Sequence, residues 1–358
     1  MTYGNYPDLN NIKRILVIKM RHHGDVLLTS PLFSQLKKAL PGAQIDAFIY
    51  LDTLPMLEGH AAISNYLLYD RNWKKLPFFK KLSKEFSLLR KIRSAGYDLV
   101  INLTEGDRGA IAAFVSGASC RVGLHAEKKK WSRYTHLVKT SPNPRHTVEK
   151  QLDFLRRIGI FPELEERDLS LQIPQEAKDS VRALLKGQKP EECIVIHPVS
   201  RWRFKCLSVQ QMAQLLKELH HRGLPLILSA GPDSEEMAMV EKILSLAPQV
   251  PVVNLAGKLT LKQLSALISM SRALICVDSV PLHIASATKT PVVALFGPTS
   301  EQNWGPWMHP RAKVVTRAVP CRPCYQDGCG GSKMSDCLFS IQPSHIVAAL
   351  DEVLTCLY

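Results

Sequence analysis

Residues Leu274 to Thr299 read LICVDSVPLHIASATKTPVVALFGPT. The apolar run Ala273 to Val277 stops at Asp278-Ser279, and a helical pattern follows through Ala287. A second apolar run, Val292 to Phe296, then stops at Gly297-Pro298-Thr299. Strand, short turn, helix, strand is the repeating unit of a parallel sheet covered by helices. Ligands of such sheets bind beyond the carboxyl ends of the strands, which makes Asp278, Ser279 and His283 candidate contacts. The first turn of the helix offers backbone N–H groups and a positive dipole end suited to phosphate. An aspartate beside a phosphate fits if it holds a neutral part of the same ligand, such as a sugar hydroxyl. The alternative is a plain helix N-cap.

Moving outward, the same alternation fills the second half of the chain. Cys193 to His197 reads as a strand emptying into Pro198-Val199-Ser200-Arg201-Trp202-Arg203-Phe204-Lys205. A helix over Ser208 to His220 and a strand over Leu224 to Ala230 lead to Gly231-Pro232-Asp233-Ser234-Glu235. Val252 to Asn254 then precedes Ala256-Gly257-Lys258 and a helix from Thr260. These loops share one edge of the sheet.

The first half opens in the same way. Arg14 to Lys19 is a short buried strand, followed by Met20-Arg21-His22-His23-Gly24 and a helix expected from Asp25 to about Ala39, before a strand over Gln44 to Tyr50. The G-x-G-x-x-G dinucleotide fingerprint is absent. Gly24 stands alone before an acidic residue, and Asp25 reads either as an N-cap or as a group facing a ligand. A basic helix is expected from Phe79 to Ala95 with Leu82, Phe86, Leu89 and Ile92 along its apolar side, and Asp98 to Leu103 is a further strand. Phe161 to Gln175 lacks strong periodicity and is taken as the joining region.

The 358 residues are enough for two domains with separate cores. No apolar run reaches the length of a membrane span and no secretory leader is evident, so a cytoplasmic protein is expected. The net charge of +14 is uneven: Ala61 to Lys150 holds eighteen Lys and Arg against seven Asp and Glu, a local excess of +11. Such charge attracts polyanions, and the bland alternative is a solvated basic face. No nucleic-acid motif accompanies it, so no nucleic-acid partner is expected.

Together KMRHHGDVLLTSP, HPVSRWRFK, GPDSEE, NLAGKLTLKQL and VDSVPLHIASA followed by FGPTS resemble, in order and over nearly the whole chain, the ADP-heptose-dependent heptosyltransferases of the lipopolysaccharide inner core, glycosyltransferase family 9. RHHGDVLLTSP and CRPCYQDGCGGSKMSDCL are most similar to members that add the branching third heptose. Val280 is a departure, since many relatives carry glycine there. The resemblance implies an α/β GT-B fold, two Rossmann-like domains facing each other across a cleft. Residues 1–175 would bind the acceptor, 176–342 the nucleotide sugar, and 343–358 would form a helix returning to the first domain. It implies inverting transfer from ADP-heptose to a phosphorylated lipopolysaccharide core, at the anionic cytoplasmic face of the inner membrane.

The implied roles go residue by residue. Asp25 is the base, beside Gly24 at the acceptor. Lys205 is the cation on the phosphates and the donor sugar, with Ser200 and Arg201 as phosphate contacts. Asp278 holds heptose hydroxyls, Ser279 and His283 face the diphosphate, Glu235 meets the nucleoside, and Leu259 walls the adenine. Lys74, Lys75, Lys128, Lys129 and Lys130 are expected to draw the acceptor. No Asp-x-Asp pair occurs, and neither a metal nor another cofactor is expected. Cys321, Cys324, Cys329 and Cys337 have spacing compatible with a four-thiolate zinc site, against a reduced, loop-packed cluster. Two other functions stay open: a GT-B transferase with another donor, such as a uridine one, and a basic polyanion-binding protein.

Overall fold

Two parallel six-stranded sheets organise the chain, one in each of two units, Met1–Gln172 and Ile173–Tyr358. The computed structural model describes residues 6–125, 134–141 and 143–355. The first sheet comprises β1 (Arg14–Lys19), β2 (Gln44–Tyr50), β3 (Asn65–Tyr69), β4 (Leu99–Asn102), β5 (Cys120–Leu124) and β6 (His136–Val138), ordered β3-β2-β1-β4-β5-β6. The second comprises β7 (Ile194–His197), β8 (Leu226–Leu228), β9 (Val252–Asn254), β10 (Ala273–Val277), β11 (Val292–Leu295) and β12 (Ala312–Val315), ordered β12-β11-β10-β7-β8-β9. Counted within its unit, each sheet has the strand order 3-2-1-4-5-6 of a Rossmann-like fold. The order reverses between β1 and β4 and between β7 and β10. Loops leaving those strands diverge to opposite faces there and open a crevice for ligands.

Helices cover both sheets. The first unit has α1 (His23–Leu27), α2 (Ser30–Ala39), α3 (Phe78–Ser94), α4 (Asp107–Val115) and α5 (Thr147–Arg156). The second has α6 (Gln175–Leu184), α7 (Val209–His221), α8 (Ser234–Ser245), α9 (Leu261–Met270), α10 (Val280–Thr288), α11 (Glu301–Trp304), α12 (Asp336–Phe339) and α13 (Pro343–Thr355). Capping boxes start α7 (Ser208 with Gln211) and α9 (Thr260 with Gln263), each satisfying two otherwise orphaned amides. The central strands are buried on both faces, which is why RILVIK and ALICV read as continuous apolar runs. Among the described residues no helix is long and apolar enough to cross a membrane.

Three expectations are corrected. The single helix from Asp25 is two, α1 and α2, because Pro31 has no N–H to bond back into α1 and sits instead in the first turn of α2, where none is needed. The expected apolar side of α3 reaches the core only in part: Ile92 is buried and Leu89 packs against the core, joined by Leu88, whereas Leu82 and Phe86 are 52% and 67% exposed. Finally, α13, expected to leave for the first domain, is part of the second unit. Its buried Ile346, Ala349, Leu350 and Val353 join the core of the second unit with strands β7, β8, β10 and β11 and helix α7.

Candidate active site

In the second unit, the switch point gathers the residues around an ion pair. Lys205 Nζ lies 2.7 Å from Asp278 Oδ2, and Thr299 Oγ1 donates to the same oxygen at 2.7 Å. Lys205 comes from the loop after β7, Asp278 from the end of β10 and Thr299 from the loop after β11. Three adjacent strands thus deliver one residue each. The Asp278 side chain is only 5% exposed and that of Lys205 18%. A carboxylate so buried is sustained only by partners that replace its water. Asp278 is not an N-cap: Ser279 holds that position of α10, and its hydroxyl donates to Val277 O at 3.1 Å. Pro281 has no N–H and the Leu282 N–H bonds to Ser279 O, so this first turn offers fewer amides than an average helix start. His283 is buried on the second turn side of that start.

Ser200, Arg201 and Glu235 line one small cleft together with Arg203, Asp233 and Glu236. Asp233 caps α8, accepting from the Glu235 and Glu236 amides at 3.0 and 3.4 Å. Glu235 points to solvent, whereas half-buried Glu236 accepts from the Gly231 amide at 3.0 Å. Burial pushes the Glu236 carboxyl above its usual range. A Cβ at Gly231 would lie 2.8 Å from Glu236 Oε2, so any larger residue there would push that carboxylate aside. Leu259, half-buried before α9, is not part of that lining.

In the first unit, Asp25 lies in the first turn of α1 after buried Gly24, and His22 is the N-cap. The N-cap reading of Asp25 therefore fails. Close by in charge terms is Lys19 at the end of β1, which is 6% exposed and bonds Leu103 O at 3.5 Å. Burial pushes its ammonium down, against an opposing pull from the Asp25 carboxylate. The rim of this sheet edge is tied by Arg71, which donates to Arg21 O at 2.9 Å, pairs with Asp52 at 2.9 Å and stacks 4.0 Å over Tyr50. Those bonds hold the turn bearing exposed Lys74 and Lys75 to the loop before Asp25. Lys128, Lys129, Lys130 and Trp131 lie outside the described residues.

Sequence reasoning gave no role to Thr299, Glu236 or Lys19. Thr299 lay in plain view at the end of an apolar run, the position that supplies ligand-edge residues in parallel sheets. Cys321 and Cys329 are exposed, Cys324 is partly exposed and Cys337 is buried, all as free thiols. Among the described residues no group of three or more His, Cys, Asp or Glu is placed to hold a metal ion.

His197, at the end of β7, bonds Ser229 Oγ through Nδ1 at 3.0 Å and is buried. Desolvation pulls its imidazole down to about 4 from 6.5. The unfolded chain takes up this proton near pH 6.5 and the folded protein only near pH 4. The stabilisation is therefore complete above pH 6.5 and is lost as the pH falls toward 4, about 3 kcal/mol in all. Denaturant unfolding is expected to weaken from pH 7 to 4.5, with a shallower dependence in His197→Asn. An unchanged dependence in that variant would show that other groups carry it.

The chain matches the model of glycosyltransferase family 9 (heptosyltransferase) over residues 85–334. It is 36% identical over 294 residues to lipopolysaccharide heptosyltransferase 3 of Escherichia coli, covering 80% of this chain and 84% of that one. Among solved structures it resembles the family 9 glycosyltransferase of Veillonella parvula, at TM-score 0.82 and 20% identity, covering 98% and 99% of the two chains. It also resembles the ADP-heptose lps heptosyltransferase II of E. coli, at TM-score 0.77 and 21% identity, covering 95% and 98%. Those two likenesses give the fold as GT-B. The chain belongs to glycosyltransferase family 9, the heptosyltransferases.

Proposed function

We propose that this protein transfers a heptose from ADP-heptose to a heptose of the lipopolysaccharide core, as the branching third heptose, with inversion and without a metal. The observation that carries this reading is the buried Lys205–Asp278–Thr299 cluster at the second unit's switch point, in a chain 36% identical to a lipopolysaccharide heptosyltransferase 3. In the proposed reaction the acceptor hydroxyl attacks the anomeric carbon from the face opposite ADP. Asp25 takes its proton, and the bond to the diphosphate breaks. Lys205 meets the charge that develops on the departing diphosphate, where a preorganised cation acts most strongly. Asp278 keeps Lys205 in place and accepts from the heptose hydroxyls. Ser200, Arg201, Ser279 and His283 are proposed around the phosphates, and Glu235 and Leu259 around the nucleoside.

Metal independence rests on the absence of an Asp-x-Asp pair from the sequence. Turnover is expected to survive excess EDTA. Loss on chelation with recovery on magnesium would displace Lys205 as the main partner of the leaving group.

The first unit is proposed to bind the acceptor, and the protein to work at the anionic cytoplasmic face of the inner membrane. Electrostatic attraction supplies the long-range force for this. Replacing Lys74 and Lys75 by glutamine is expected to raise the acceptor KM and flatten its salt dependence, with the donor KM unchanged. An unchanged acceptor KM at low ionic strength would make them a solvated face.

Thermal stabilisation tests the donor. ADP is expected to raise Tm and UDP not. Protection by UDP alone would favour a uridine donor, and protection by polyanions alone a binding protein.

A further inference from the structure

Helix α3 carries a wide apolar arc, and only part of it is used by the fold. Leu88 and Ile92 face the core of the first unit with half-buried Leu89 behind them. Next to them on the wheel Phe78, Phe79, Leu82 and Phe86 are 70%, 81%, 52% and 67% exposed. Residues 78, 82 and 86 follow one another at i, i+4 and i+8, and Phe79 lies beside Phe86 on the wheel, so the four form one stripe. The Phe78 and Phe79 rings meet edge to face at 5.6 Å. Scattered exposed apolar residues are ordinary, but three phenylalanines and a leucine in one stripe are not.

The same helix holds six basic residues, Lys80, Lys81, Lys84, Arg90, Lys91 and Arg93, and one acid, Glu85. Glu85 is engaged: it accepts from Tyr69 OH at 2.8 Å and lies 3.7 Å from Arg108. On the helical wheel the stripe is bordered by Glu85 at its core edge and by Arg90 at its outer edge, and Lys80, Lys84 and Lys91 make the opposite, polar face of the helix basic.

We propose that this outer face of α3 docks on an anionic lipid bilayer, with Phe78, Phe79, Leu82 and Phe86 entering the headgroup–acyl boundary, Arg90 and Arg93 beside them meeting lipid phosphates and the lysines of the polar face adding long-range attraction. An apolar stripe on a helix whose polar face is basic is the pattern of a helix lying in the plane of a membrane interface. A second copy of this chain would bring two helices of like charge together, six cations against one acid on each. A bilayer supplies both an apolar interior and the opposite charge. The inference deepens the proposed function, since a lipid-anchored acceptor lies in the surface that α3 would touch.

The test is co-sedimentation of the full chain with vesicles of phosphatidylethanolamine and phosphatidylglycerol, and with vesicles of phosphatidylcholine alone. The protein is expected to pellet with the anionic vesicles and to stay in solution with the neutral ones. The combined variant Phe78→Ser, Phe79→Ser, Leu82→Ser, Phe86→Ser is expected to lower partitioning tenfold or more. The combined variant Lys80→Gln, Lys84→Gln, Arg90→Gln is expected to weaken it and to reduce its salt dependence. All changed side chains are exposed, so both variants are expected to keep the parent circular dichroism spectrum and the parent turnover on a delipidated acceptor. Wild-type protein that ignores anionic vesicles, or a serine variant that binds them as well as the parent, would overturn the proposal. So would a concentration-dependent dimer abolished by the serine substitutions, which would assign the stripe to a second copy. Loss of transfer by the wild type on every acceptor, with vesicle binding intact, would instead refute the proposed reaction and leave the surface standing.

Discussion

Asp25→Asn is expected to lower kcat by roughly 10²-fold or more while donor affinity stays nearly constant, because a general base is worth about that much and takes no part in ground-state binding of the donor. Asp25 does not cap α1, so its amide replacement removes no helix bond. It lies half-buried after buried Gly24, with the Lys19 ammonium as its charged neighbour. An amide keeps the shape and cannot accept a proton, so any loss of rate in a folded variant reports the chemistry. Normal turnover in Asp25→Asn would reduce Asp25 to a surface acid in a helix's first turn. Asp25→Ala is expected to match it.

The second large effect is at the ion pair. Lys205→Met should lower kcat/KM for the donor by roughly 10²- to 10³-fold, the worth of one preorganised group at developing charge. It should also cost stability of several kcal/mol, because Asp278 is left buried with its cation gone and, among the described residues, Thr299 as its remaining side-chain donor. The two effects separate in the double variant Lys205→Met, Asp278→Asn. That chain no longer buries an uncompensated charge, so Tm should return toward the parent value while transfer stays lost. Recovery of activity together with stability would mean that Lys205 serves only to neutralise Asp278.

The centre of each sheet was legible because its strands are wholly buried. Runs such as RILVIK, QIDAFIY and ALICV coincide with β1, β2 and β10. The strands at and next to the edges were harder. Asn65–Tyr69, Cys120–Leu124, His136–Val138 and Ala312–Val315 are three to five residues long and mix polar with apolar positions, since a short, half-covered strand has no periodicity to show. Helix α3 misled for a physical reason. Its apolar arc is wider than the face the core can cover, and only packing decides that Leu88, Leu89 and Ile92 go inward while Leu82 and Phe86 stay out. Helix α13 was amphipathic as expected, but amphipathicity says nothing about which surface receives the helix.

At the site, the loops were predictable and the pairings were not. The positions of Lys205 and Asp278 after apolar runs marked both as ligand-edge residues. That they sit 2.7 Å apart depends on β7 and β10 being neighbours, which only the sheet order reveals. Thr299 entered through the same topology, since β11 lies beside β10. The difference between Glu235 and Glu236 is one helical step, too fine for sequence to resolve.

The proposal is tested most directly by mass spectrometry of a lipopolysaccharide core acceptor lacking its branching heptose, after incubation with the purified protein and ADP-heptose in EDTA. The account predicts addition of a single heptose with release of one equivalent of ADP, and no addition from a UDP-sugar. A folded protein that leaves the acceptor unchanged with ADP-heptose, or that adds a sugar from a UDP donor instead, would contradict it.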